Sequence, residues 1–216
     1  MADKTHNLTV LISGNGSNLQ ALIDACASGA LPNTHITHVI SNRKAAYGLE
    51  RASKASIPTS YHNLVPYKKN HPDNPDTARA QYDADLAQLI LSTQPLPSLI
   101  VCAGWMHIVT PSFLDPLAAA HIKIINLHPA LPGEFAGAGA IERAWKAGRE
   151  EGLKRTGVMI HEVIAEVDAG KAIVTREVEL KEGEGLEDLE ERIHEVEHGL
   201  IVEGVRMALE GLGKEA

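Results

Sequence analysis

The chain has 216 residues, 44% of them hydrophobic and 22% charged, with 20 Lys and Arg against 28 Asp and Glu for a formal charge of −8. That length allows one large domain or two small ones, with a core able to bury roughly 70% of the extended surface. The composition excludes collagen-like, disordered and membrane-spanning chains. The acidic balance repels phosphate backbones and anionic lipid surfaces, so neither nucleic acid nor a membrane is an expected partner.

From the amino end, MADKTHNLTV carries no apolar leader-like run, and Cys26 and Cys102 fall in a predicted helix and a predicted core strand. Both features lead us to expect a reduced, cytoplasmic protein. LTVLI (8–12) reads as a strand, SGNGSN as a glycine turn, and NLQALIDACASG as a helix closed by Gly29. The alternation continues through HITHVI (35–40), a helix over 47–54, PTSYH (58–62), a helix over 77–93, and the apolar strand SLIVCAG (98–104). A short helix opened by Thr110 and Pro111 then leads into HIKIINL (121–127). Segment 64–76, rich in Pro and Asn, is expected to be a surface excursion.

Strands alternating with helices predict an α/β fold, a Rossmann-like mostly parallel sheet with helices on both faces. Beyond residue 150 the pattern changes. GVMIHEVIAEV and AIVTREVEL are strand-like runs separated only by DAGK, so the sheet is expected to become mixed through an antiparallel hairpin. A last helix over about 186–209 places Leu189, Ile193, Val196, Leu200, Val205 and Leu209 near one face.

Three motifs carry chemistry. In SGNGSN, glycines let a backbone approach a ligand, and the free N–H groups opening the next helix favour an anion. A turn needed only for its geometry is the alternative. The third glycine of a dinucleotide fingerprint is missing, strand two ends in Ser41-Asn42-Arg43 without a ribose-binding acid, and no Gly-Lys-Ser/Thr follows. A monophosphate on Gly16, Ser17 and Asn18 fits better.

Asn126 and His128 share one face at the carboxyl end of an apolar strand, where open α/β sheets hold ligands, and both can donate to one oxygen. Here the alternative is a capped strand end with a satisfied histidine. Asp168, in Val167-Asp168-Ala169-Gly170, also reads as ordinary turn chemistry unless the fold brings it to His128. His194-Glu195-Val196-Glu197-His198 matches the zinc peptidase pattern, but no third ligand follows at the required spacing, so no metal is expected.

Taken together, LISGNGSNLQALIDAC (11–26), ISNRKAAYGLERA (40–52), CAGWMHIVTPSF (102–113), INLHPALPG (125–133) and HEVIAEVDAGKAI (161–173) resemble the phosphoribosylglycinamide formyltransferases, the folate-dependent glycinamide ribonucleotide transformylases. The resemblance implies a single formyltransferase domain with a phosphate-binding half over about 8–120 and a catalytic, folate-binding half over about 121–210. It implies formyl transfer from 10-formyltetrahydrofolate, as cosubstrate, to the amine of glycinamide ribonucleotide in purine biosynthesis. The carried-over catalytic residues are Asn126, His128 and Asp168, with the substrate phosphate on Gly16, Ser17 and Asn18 and a further substrate contact from Glu197. Folate contacts fall on Met106, His107, Ile108, Val109, Ile164, Ala165 and Asp168. His107 stands where bacterial members have Arg, and Ala169 where they have a second glycine.

The related tRNA formyltransferases carry a further C-terminal domain for which this length leaves no room, and the expected assembly is a monomer or a homodimer. Alternatives are a formyl-folate hydrolase, another formyl acceptor, or a non-catalytic folate or nucleotide sensor. For the chemistry, Asn126 and a protonated His128 are expected to stabilise the oxygen of a tetrahedral intermediate. Asp168 is expected to raise the His128 pKa and to carry a proton through a bound water.

Overall fold

The computed structural model describes residues 5–212. The chain forms two compact units, one up to Ile124 and one from Ile125.

The first unit holds strands β1 (His6–Ile12), β2 (Thr34–Ser41), β3 (Thr59–Tyr61) and β4 (Leu99–Cys102). Its helices are α1 (Ser17–Ser28), α2 (Tyr47–Lys54), α3 (Val65–Asn70), α4 (Pro75–Leu91) and α5 (Pro111–Ala119). The strands lie in the order β3-β2-β1-β4, and every pairing is parallel. Val10, Leu11, Ile12, Leu99 and Ile100 are fully buried, which is why these strands read as continuous apolar runs without alternation.

Helix α4 starts where Asn74 accepts a hydrogen bond from the Thr77 N–H at 3.0 Å and Pro75 supplies a preset first turn. It buries Ala78, Tyr82, Leu86 and Ile90, a stripe spaced by four residues. The 64–76 segment departs from the expected loop, since α3 lies within it. None of the six α3 residues is buried, so this helix has no apolar stripe to announce it in the sequence.

The second unit holds β5 (Lys123–His128), α6 (Ala140–Glu150), β6 (Arg155–Glu162), β7 (Ala172–Glu179) and α7 (Leu186–Leu212). β5 pairs antiparallel with β6, and β6 with β7, so the expected hairpin forms. Its first strand ends at Glu162, not Val167, and the connection is much wider than DAGK. The register slips between Ile160 and His161, and the Glu162 N–H donates to the Lys171 carbonyl at 3.0 Å, closing the loop there. Gly170 sits so close to Glu162 that any β-carbon would overlap the Glu162 carbonyl.

Helix α7 buries Leu189, Ile193, Leu200, Ile201, Val205 and Leu209. Val196, expected on that face, is half-buried, and the buried position goes to the adjacent Glu197. Gly204 meets Ile160 of β6 with no space for a side chain, so helix and strand approach closely. Helix α6 has no counterpart among the sequence expectations: it buries Ala140 and Ala144, half-buries Ile141 and Trp145, and turns charged residues outward. Among the described residues no helix is long and apolar enough to cross a membrane.

Candidate active site

Two structural positions gather the residues singled out by sequence, and each is built by its own unit. In the first unit, β1 runs into the turn 13–16 and α1 begins at Ser17. Gly16 caps the helix with φ +75°, and a β-carbon on it would lie 2.6 Å from the Cα of Gly48. Two glycines therefore let α2 press against the turn, and the Gly48 N–H donates to the Gly14 carbonyl at 3.1 Å. Arg51 of α2 grips Asn15 twice, through Nε to its carbonyl at 2.9 Å and through Nη2 to its Oδ1 at 2.8 Å. The turn is thus held rigid, and Ser17 opens α1 with no side-chain cap and a favourable dipole for an anion.

The 105–110 segment lies in the same unit. Met106 and Ile108 are exposed, at 72% and 52%. His107 is turned the other way: its Nε2 lies 2.7 Å from Oδ1 of the fully buried Asp83, whose Oδ2 accepts from the Thr110 N–H at 2.6 Å. The Tyr82 ring packs edge-on against His107. His107 is therefore a tether for this segment, with its ring committed to Asp83. Val109 is half-buried beside it.

In the second unit, β5 carries Asn126 and His128 on one side, and His128 is buried at 5% exposure. The loop after β6 brings Asp168 to both. Its Oδ2 lies 3.4 Å from His128 Nδ1, and its Oδ1 accepts from Asn126 Nδ2 at 3.4 Å. Asp168 holds a left-handed backbone at φ +53°, a conformation Asp tolerates better than most residues, and the Gly137 N–H donates to its Oδ2 at 2.7 Å. A separation of 42 positions along the chain thus collapses to hydrogen-bond distance.

The pairing of β5 with β6 also sets His161 directly opposite Asn126, a residue to which sequence reasoning gives no role. Its Nδ1–H donates to the Glu162 carbonyl at 2.8 Å, and its Nε2 lies 3.5 Å from Asp168 Oδ1 and 3.1 Å from Asn126 Nδ2: protonated, it donates to Asp168, and in the neutral ring it accepts from Asn126. Asn126 then has both amide hydrogens engaged, one on His161 and one on Asp168. The available signal is a histidine within an otherwise apolar strand, VMIH.

Electrostatics here differ from the sequence expectation. Burial raises the Asp168 carboxyl, but His161, the Gly137 N–H and His128 together outweigh it and hold the pKa down at about 2. His128 moves the other way. Desolvation lowers its pKa and wins over the upward pull of Asp168 and of the Phe135 carbonyl, which accepts from His128 Nε2 at 3.1 Å. Asp168 does pull this pKa up as expected, but burial outweighs it, so the net shift is downward and the expectation of a protonated His128 is what is corrected.

Of the remaining predicted positions, Ile164 and Ala165 are exposed on the loop that carries Asp168, and Glu197 is buried on α7 at 5% exposure. Among the described residues, no three His, Cys, Asp or Glu side chains are grouped as a metal site.

A polar constellation at a strand's carboxyl end, with an amide, an imidazole and a carboxylate around one point, has the groups needed to stabilise an oxyanion and to move a proton. Comparison with known proteins supplies the class. A formyl transferase family model matches residues 6–205, and the chain belongs to that family. It is 53% identical over 204 residues to the phosphoribosylglycinamide formyltransferase of Schizosaccharomyces pombe, covering 94% of this chain and 97% of that one. The Saccharomyces cerevisiae phosphoribosylglycinamide formyltransferase is 46% identical, with 96% and 99% covered. Among solved structures, glycinamide ribonucleotide transformylase 1 of Symbiobacterium toebii superposes with a TM-score of 0.81 at 35% identity, covering 96% of this chain and 89% of that one.

Proposed function

We propose that this chain transfers the formyl group of 10-formyltetrahydrofolate to the primary amine of glycinamide ribonucleotide, a step of purine biosynthesis carried out in the cytoplasm. The observation that carries the reading is the meeting of Asn126, His128 and Asp168 within 3.4 Å contacts. It occurs in a chain whose relatives bear the name of that activity.

The amine nitrogen attacks the formyl carbon, forming a C–N bond while the carbonyl oxygen takes the negative charge. Asn126 and His128 donate to that oxygen, and one such donor is worth about 2.7–4 kcal/mol. Because both Asn126 hydrogens and the His128 Nε2–H have partners in the protein, the reacting oxygen takes over one of these bonds as its charge develops. Such exchange favours the transition state over the weakly charged ground state. The bond from the carbon to the folate nitrogen then breaks. The amine proton reaches that nitrogen through a water held by Asp168, whose low pKa keeps it an ionised acceptor near neutral pH. Direct attack by the substrate's own amine needs neither a metal nor a covalent enzyme intermediate, and holding both substrates supplies much of the acceleration.

The phosphate of glycinamide ribonucleotide rests on Gly16, Ser17 and Asn18, and Glu197 contacts the same substrate. Met106, Ile108, Val109, Ile164 and Ala165 supply apolar and backbone contacts to the folate, with His107 serving through the position it gives Met106 and Ile108. The test is to mix protein, 10-formyltetrahydrofolate and glycinamide ribonucleotide and follow the formylated product by mass spectrometry. Product formed only when both substrates are present is the expected result. Binding without product, release of free formate in place of product, or a formylated enzyme would overturn the reading.

A further inference from the structure

Arg143 lies in the first turn of α6, where a cation opposes the helix dipole, yet one guanidinium nitrogen is committed to backbone carbonyls. Its Nη2 donates to the carbonyls of Phe135 at 2.6 Å and Ala136 at 2.7 Å and reaches Gly137 at 3.4 Å, with the guanidinium over the Phe135 ring. The same three-residue segment faces the candidate active site from its other side. The Phe135 carbonyl accepts from His128 Nε2, and the Gly137 N–H donates to Asp168. Behind it lies an open cleft of about 570 Å³ lined by Glu134, Phe135, Arg143, Lys146 and Leu153, so packing alone leaves the segment room to relax.

We propose that Arg143 is a positioning residue, a latch that fixes residues 135–137 and through them orients His128 and Asp168 for the transfer reaction. One carbonyl serves two donors, and the charge-assisted bond from Arg143 is the shorter, 2.6 against 3.1 Å. Its acceptor capacity is drawn towards the guanidinium, and the His128 Nε2–H stays loosely held and ready to pass to the reacting oxygen. Asp168, His161 and Arg143 are the charged or titratable groups acting on His128, and the Arg143 charge is one of the influences that hold its pKa down.

This inference rests on the proposed reaction, and its test separates the two. For Arg143→Gln we expect kcat to fall about tenfold or more with KM for either substrate changed less than about threefold, because orientation and not binding is lost. The His128 imidazole resonance, followed by NMR against pH, is expected to titrate at higher pH in that variant. Arg143→Lys keeps the charge on a shorter stem that does not carry its nitrogen to where Nη2 meets the three carbonyls, so its His128 titration should stay at the wild-type midpoint while kcat remains reduced. Should the Gln variant fail to fold, kcat of the Lys variant decides the question alone. Wild-type kcat in either folded variant, or an unmoved His128 midpoint in the folded Gln variant, would overturn the latch. Wild-type protein without turnover on the two substrates would sink the proposed reaction instead, and the titration would still read the latch.

Discussion

The phosphate-type turn at 13–18 and the constellation at residues 126, 128 and 168 are built in opposite ways. The turn is mostly local: β1, residues 13–16 and α1 make it, and it is braced by α2 through Gly48 and Arg51 and by residues 104–106 through Ser13. The constellation is assembled from β5, β6 and two loops, none of which can form it alone. Local sites tolerate losses elsewhere in the chain, whereas an assembled one fails when any contributor shifts.

That contrast predicts which substitutions separate binding from chemistry. The largest effect is expected in the constellation. Asn126→Ala and His128→Ala should each lower kcat by about a hundredfold to a thousandfold with modest changes in KM, as for removal of an oxyanion donor. Steady-state kinetics with both substrates varied checks this, and near-normal kcat in both variants would remove their catalytic assignment. In the turn, the outcome should be reversed. Gly48→Ala puts a β-carbon 2.5 Å from the Ile12 side chain and pushes α2 off Gly16. We expect a raised KM for glycinamide ribonucleotide, kcat within about threefold of wild type, and a stability loss of about 1–3 kcal/mol. Equal KM values would show that the turn holds no phosphate.

The smallest effect is one of pH. Asp168 titrates at about 2 in the folded protein against an ordinary 3.8, so it binds fewer protons folded than unfolded. Its contribution to stability, on the order of 2 kcal/mol, is fully present above the ordinary value and is lost as pH falls through about 2. Asp168→Asn should therefore flatten the acid limb of the unfolding free energy measured by urea titration between about pH 5 and 2. An acid limb as steep as wild type would mean that other carboxylates carry it.

The alternation of strands and helices in the first unit is readable because parallel strands buried on both faces are unbroken apolar runs, such as LTVLI and LIVC. The hairpin is readable too, but not its width. HEVIAEV continues to alternate past Glu162, while the slip at His161 and the crowding of Gly170 against Glu162 end the pairing there. Helix α6 does carry a periodic signal, with apolar residues at 140, 141, 144 and 145 and charged ones between them, that the sequence expectations leave out. Among the candidate site residues, Asn126 and His128 are found through motif chemistry, and Asp168 through the family resemblance alone. His161, Arg143 and the true direction of His107 are not, because each is defined by a partner distant in sequence.

Sequence alone determined most of the elements, α3 and α6 excepted, and the chemical types at the candidate site, since periodicity and glycine placement act over a few residues. Only the tertiary structure decided how those groups behave. Whether burial or the Asp168 charge governs His128, whether His107 faces outward or Asp83, and which carbonyls Arg143 holds depend on solvent exclusion and distance in three dimensions. Both are properties of the packed chain, and no local run of residues encodes them.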